Sequence, residues 1–187
     1  MKLVNIEKKE EGKFITRYDL AYKTVDGQDK IYEMISRDND IDSLEKLKAK
    51  NADSVVLIMT SPDESKILLN KEYRMACGDW VYSFPAGLLE EGESPDIAAA
   101  RELREETGLR ITEIDDKLGV SYSAVGFSNE KNVCIIGTAE GEITPSDSVF
   151  EEIVAGWYTK EEVRELLRTK PFAARTQAYC YLWSRDY

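Results

Sequence analysis

Between Phe84 and Leu109 the chain reads FPAGLLEEGESPDIAAARELREETGL, with seven acidic residues against two arginines. Three of the glutamates, Glu102, Glu105 and Glu106, fall within five positions. On a helix they share one arc of about 100°, and Ile97, Ala99, Ala100, Leu103 and Thr107 take the opposite side. Like charges three and four apart destabilise a helix by roughly 0.2–0.5 kcal/mol per pair, and the C-terminal end of the helix dipole adds to that cost. A charge run is ordinarily a solvated face, here relieved by pairing of Arg101 with Glu105 at i, i+4. Carboxylates at i and i+4 beside a glycine-containing loop, however, supply the oxygen ligands that a hard divalent cation such as Mg²⁺ takes. The cluster therefore reads as a magnesium site.

A helix must carry these residues, and its ends are marked. Ser94 is a suitable N-cap, Pro95 suits the first helical position and Gly108 suits the terminator, so the spacing predicts a helix over Pro95–Thr107. Gly87 and Gly92 bracket the preceding loop. Upstream, KFITRYDLAYKTVDGQDKIYEMISR alternates apolar and polar residues around Asp26-Gly27, which predicts a hairpin from about Lys13 to Arg37. A polar, partly helical connector follows, DNDIDSLEKLKAKNAD. SVVLIMTS reads as a buried strand joined through Pro62-Asp63 to a second strand, KILLNKEYR, and Trp80–Phe84 as a third. Further strands are expected in EIDDKLGVSYSA, in NVCIIGTAEG and in a segment ending near Trp157. Thr159 with Glu162 forms a capping box for KEEVRELLRT, and a last helix covers about Ala173–Trp183. Strands dominate the middle and helices follow them: the class is α+β.

Composition narrows the chemistry. The 187 residues suffice for one main core. A net charge of −11 disfavours nucleic acid and anionic membrane surfaces. The start, MKLVNIEKKEEGK, lacks the apolar segment of a signal peptide, and the longest uncharged apolar run, SVVLIMTS, is too short to cross a bilayer, so a cytoplasmic protein is expected. Cys77, Cys134 and Cys180 are scattered, without a CxxC pair, and read as buried thiols rather than a zinc knuckle or a disulfide scaffold. The chain has no histidine, which removes imidazole bases and His-ligated zinc. Carboxylates, arginines, hydroxyls and metals are left.

Gly87, five residues, Glu93, seven residues and then RELREETGL resembles the Nudix box, GX5EX7REUXEEXGU with U aliphatic, at every specified position. A chance match is on the order of one in a million at average residue frequencies. The order of strands and the approach EYR…FPAG look like the same family over nearly the whole chain. The resemblance implies an α/β/α sandwich around a mixed sheet with an N-terminal antiparallel β-hairpin extension. It divides the chain at about 1–50, for dimerisation and base recognition, and 51–187, the hydrolase domain. It also implies Mg²⁺-dependent hydrolysis of a nucleoside diphosphate linked to another moiety, Mn²⁺ being a possible substitute. By match to the box, Glu102 and Glu106 are the first candidate ligands, with Glu105 and the carbonyl of Ala86 completing the set. Glu93 and Arg101 are expected to hold the loop against the helix.

EYR followed by FPAGLLEEGE resembles the ADP-ribose and nucleotide-sugar pyrophosphatase branch. Arg74 becomes a candidate phosphate or ribose contact, with Arg37, Glu130 and Trp80 as further substrate-binding candidates; Tyr18, Tyr22 and Tyr32 are other aromatics that could stack on a base. Members of that branch usually carry a proline about 16 residues beyond the box, where this chain has Val125 before Gly126. ADP-ribose or a related nucleoside diphosphate sugar is the expected substrate. The alternatives are another dinucleotide, NADH or a diadenosine polyphosphate, and a nucleotide-sensing domain without catalysis. For the general base, the loop SDSVFEEIVAGW offers Glu152 and Glu151; Glu152 is taken first, ahead of Glu151, Glu130 and Glu105. A homodimer is expected by the same resemblance.

Overall fold

The computed structural model describes residues 1–48 and 51–185. Its contacts divide the chain into two compact units, Met1–Asp53 with Val120–Asn132, and Ser54–Gly119 with Val133–Tyr187. In the first unit β1 (Lys2–Glu11), β2 (Thr16–Lys23) and β3 (Asp29–Ser36) form an antiparallel sheet in that order. The β2–β3 turn falls at Asp26-Gly27: Gly27, at φ 83°, donates its N–H to the Thr24 carbonyl at 3.1 Å. β1 lies outside the expected hairpin. Its sequence, KLVNIEKKEE, is too charged to announce a strand, and the ladder to β2, from Lys2↔Lys23 to Glu11↔Thr16, holds it. Tyr18, Leu20 and Met34 share the covered face with Ile41. α1 (Leu44–Lys48) is the helical part of the connector, which runs on into residues 49 and 50, outside the described residues.

The remaining elements are β4 (Ser54–Thr60), β5 (Lys66–Arg74), β6 (Asp79–Ser83), β7 (Ala86–Leu88), α2 (Pro95–Thr107), β8 (Arg110–Lys117), β9 (Ser121–Tyr122), β10 (Lys131–Glu140), β11 (Ile153–Thr159), α3 (Lys160–Thr169) and α4 (Ala174–Trp183). A large mixed sheet runs in the order β11-β5-β4-β10-β8, with β6 on β5, β7 on β4 and β9 on β10. The run expected as one strand, EIDDKLGVSYSA, is split between β8 and β9, and β8 begins earlier, at Arg110. β7 is a short strand in what read as loop.

β4 shows why its sequence lacks polar alternation. Val55, Leu57 and Met59 pack with Leu68 and with Ala98, Ala99 and Leu103 of α2. Val56 and Ile58 point the other way, to Ile67, Leu69, Val163 of α3 and Cys180 of α4. A strand buried on both faces needs apolar residues at every position. The result is the expected α/β/α sandwich, α2 on one side and α3 with α4 on the other. No helix among the described residues is long and apolar enough to cross a membrane.

Candidate active site

α2 begins and ends where its sequence says. Ser94 accepts a hydrogen bond from the Ile97 N–H at 3.5 Å, and Pro95 needs no partner for a missing N–H. At the other end Gly108, at φ 77°, donates to the Arg104 carbonyl at 2.8 Å. Thr144 N–H then bonds the Thr107 carbonyl and Asp147 N–H the Glu105 carbonyl, so the loop before β11 is stitched to the end of the helix. The apolar side, Ala98, Ala99 and Leu103, is fully buried and fixes the rotation of the helix. Rotation about that anchor brings Glu106 beneath the sheet and leaves Glu105 at the rim.

Arg101 organises the loop in front of the helix. Its guanidinium makes a two-pronged contact with Glu93, Nε to Oε1 at 3.0 Å and a terminal nitrogen to Oε2 at 2.9 Å, and also donates to the Leu88 carbonyl at 2.9 Å. The pair holds the Glu93 carboxyl below its ordinary range. The remaining nitrogen meets Glu102 at 2.7 Å and Glu105 at 3.4 Å. Gly87 makes room for Glu102: a Cβ there would stand 1.9 Å from the Glu102 carboxyl carbon.

Glu106 is the deepest carboxylate. Asn70 of β5 donates to its Oε2 at 2.8 Å and the Ala86 N–H at 3.3 Å. Burial, then the neighbouring charges of Glu102 and Glu72, push Glu106 up to about 8 in spite of those two donors. Burial likewise raises Glu102, with Glu105 and Glu151 adding to it and Arg101 opposing. These groups gain from an added cation. All the candidate donors are oxygens, which suits Mg²⁺ or Mn²⁺. Among the described residues no three acidic or thiol side chains already form a metal cage. Glu102 is turned to Arg101 and Glu106 to Asn70. The residues fit a divalent metal by the chemistry of their donors.

The NUDIX domain profile matches residues 50–180. The chain belongs to the NUDIX family. Its similar proteins include "ADP-sugar pyrophosphatase" of Mus musculus, 32% identical over 157 residues, which cover 78% of this chain and 68% of that protein. "ADP-ribose pyrophosphatase" of Mycobacterium tuberculosis is 35% identical over 117 residues, covering 60% of this chain and 56% of that one. The chain thus spans 56–68% of the length of these two curated relatives. A solved structure described as "Crystal structure of ADP compounds hydrolase" superposes with a TM-score of 0.74 at 20% identity, covering 97% of this chain and 92% of that one. At that identity the likeness is one of fold.

Around the NUDIX helix the other expected residues separate. The charge of Glu151 acts on both Glu102 and Arg74. Glu152 gives its backbone carbonyl to the Tyr73 N–H at 3.0 Å. Glu151 and Glu152 stand just before β11, whose first residue, Ile153, pairs with Glu72. Arg74 pairs with Glu72. Trp80 is not brought to the carboxylates. It pairs with Tyr73 across β5 and β6, ring centroids 5.8 Å apart, and Lys71 lies over it at 4.8 Å, on the face turned away from α2.

In the first unit Arg37 Nε meets Glu130 at 2.8 Å. Tyr18 is fully buried, its hydroxyl donating to the Asp38 carbonyl, so it is a core residue. Tyr22 and Tyr32 line a cavity of about 320 Å³ with Met34, Tyr122, Val125 and Asn129, and both amide atoms of Asn129 are buried without a partner among the described residues. Asn70 and Glu72 escaped the sequence reading. The signal was present in KILLNKEYR: with Leu68 inward, period two puts Asn70 and Glu72 on the same face.

Proposed function

We propose that the chain hydrolyses the pyrophosphate bond of ADP-ribose or a related nucleoside diphosphate sugar, giving a nucleoside monophosphate and a sugar phosphate, with Mg²⁺ or Mn²⁺ as cofactor. The observation that carries this is the approach of Glu106 to the Ala86 N–H at 3.3 Å, next to a glycine at 87 where a side chain would collide with the Glu102 carboxyl. The names of the similar proteins support the choice of substrate.

Glu102 and Glu106 would hold the metal, with Glu105 and the Ala86 carbonyl at its edge. Bound there, the ion would neutralise the pyrophosphate and make its water more acidic. Arg101 keeps the loop and helix in register through Glu93, and Arg74 would meet a phosphate or ribose oxygen. For the base we take Glu151 ahead of Glu152, because Glu151 is the loop acid whose charge reaches Glu102. Its carboxylate would receive the proton of the attacking water. The tyrosine-lined cavity of the first unit, with its unpaired Asn129 amide, supports a role for that unit in holding the base. The protein is taken to act as a homodimer in the cytoplasm, the former checked by light scattering.

The test is a panel of ADP-ribose, GDP-mannose, UDP-glucose and NADH, with AMP, other nucleoside monophosphates or phosphate measured as Mg²⁺ is titrated. Metal-dependent release, greatest from ADP-ribose or another nucleotide sugar, is expected. Binding without release from any of them would overturn the catalytic reading in favour of nucleotide sensing.

A further inference from the structure

Asn70 lies on the α2 side of β5 with only 1% of its surface exposed. Its Nδ2 donates to Glu106 at 2.8 Å, while its Oδ1 is buried and, among the described residues, has no hydrogen-bond partner. Leaving a buried amide oxygen unpaired is unfavourable, because it loses its water and gains nothing in return. The fold does not require an amide here, because Leu68 and Leu69 before it are packed apolar residues and a leucine has nearly the same shape. The half-used amide sits beside the deepest carboxylate of the site, so the explanation belongs to the site.

We propose that Asn70 is a positioning residue for the metal: Nδ2 fixes the Glu106 carboxylate, and Oδ1 accepts a hydrogen bond from a water in the coordination shell of the ion. This rests on the reading of Glu106 as a metal ligand. Mg²⁺ keeps several of its waters when proteins bind it, and each carries protons that need acceptors. Another carboxylate would supply an acceptor but would add like charge where Glu102 and Glu72 already act on Glu106. It could not donate to Glu106 when ionised. A carboxamide offers a donor and an acceptor on two separate atoms without charge, so it can serve Glu106 on one side and a water on the other. Partners just outside the ligands set their orientation, and losing one typically weakens metal binding or activity by 10–100-fold.

The experiment compares wild type, Asn70→Leu, Asn70→Ser and Glu106→Gln. Mn²⁺ affinity is read from the loss of the free-ion paramagnetic resonance signal, and the thermal midpoint is measured with and without Mn²⁺. The expected result for Asn70→Leu is Mn²⁺ affinity weaker by roughly 10–100-fold, with a smaller metal-induced rise in the midpoint. Should Asn70→Leu not fold, Asn70→Ser is read in the same way, and its short hydroxyl should also weaken Mn²⁺. A purely structural role would lower the midpoint equally with and without metal. If Glu106→Gln loses Mn²⁺ while a folded Asn70 variant binds it within twofold of wild type, the role of Asn70 is overturned and the ligand assignment stands. If Glu106→Gln binds Mn²⁺ like wild type, the ligand assignment falls and the role of Asn70 with it.

Discussion

The two faces of β5 carry the same backbone and opposite chemistry. Ile67 and Leu69 enter an apolar core with Val56, Ile58, Phe84, Val163 and Cys180, covered by α3 and α4. On the α2 side Leu68 begins in the same manner, but Asn70 and Glu72 follow and meet Glu106. One face is completed by burying apolar surface, the other stops doing so within a single strand. The difference teaches where the molecule accepts a cost in stability: burial of charge is concentrated where a cation can offset it.

The strongest way to break this comparison is Glu106→Gln. The amide keeps the shape and can still accept from Asn70, so only the charge is lost. Turnover should fall by about 10³-fold or more, while the midpoint of the metal-free protein stays level or rises because a raised buried carboxyl is gone. Steady-state kinetics with saturating Mg²⁺ and a thermal melt check both halves. Near-normal turnover would remove Glu106 from the metal set.

The mirror experiment is Leu69→Ala on the apolar face. Deleting a fully buried leucine should cost about 2–5 kcal/mol in urea unfolding and leave turnover of the folded protein within a few-fold. A large fall in turnover with little loss of stability would mean that the two faces are not separable.

The helices were more legible in the sequence than the strands that face them. α2 could be read to its ends because Ser94, Pro95 and Gly108 are local signals, and the box spacing placed Glu102, Glu105 and Glu106. The capping box of Thr159 and Glu162 is present in full. β1 was not legible, since its charged sequence becomes a strand only through pairing with β2. Nor was β7, three residues of Ala-Gly-Leu held by β4. Asn70 escaped for a related reason: a polar residue in a strand acquires meaning only when the opposing helix is known. Trp80 is a candidate substrate aromatic by family resemblance, and strand pairing puts it beside Tyr73, on the face of β5 turned away from α2.

Gly87→Ala sharpens the contrast between conformation and space. The backbone at 87 is not left-handed, so alanine brings no dihedral strain, but its Cβ would stand within about 2 Å of the Glu102 carboxylate. That carboxylate is the far end of a flexible side chain and can swing away. Activity should drop about 10–100-fold, with stability changed by about 1 kcal/mol or less. Equal losses in both would show that the glycine serves the loop and not the ligand.

The smallest effect tests the apolar face by pH. Cys180 is wholly buried, and burial alone pushes its thiol up to about 12 from 9.0. The folded chain keeps this proton between pH 9 and 12 while the unfolded chain loses it, so the unfolded state binds fewer protons in that window and stability falls as pH rises. At pH 10 the contribution is about 1 kcal/mol relative to pH 8.5. Cys180→Ala will start less stable because of the cavity, yet between those two pH values it should lose about 1 kcal/mol less than wild type in urea unfolding. Parallel losses in the two proteins would mean that the thiol is not held in a dry environment, and the apolar face would then differ less from the face that carries Glu106 than the packing of β5 implies.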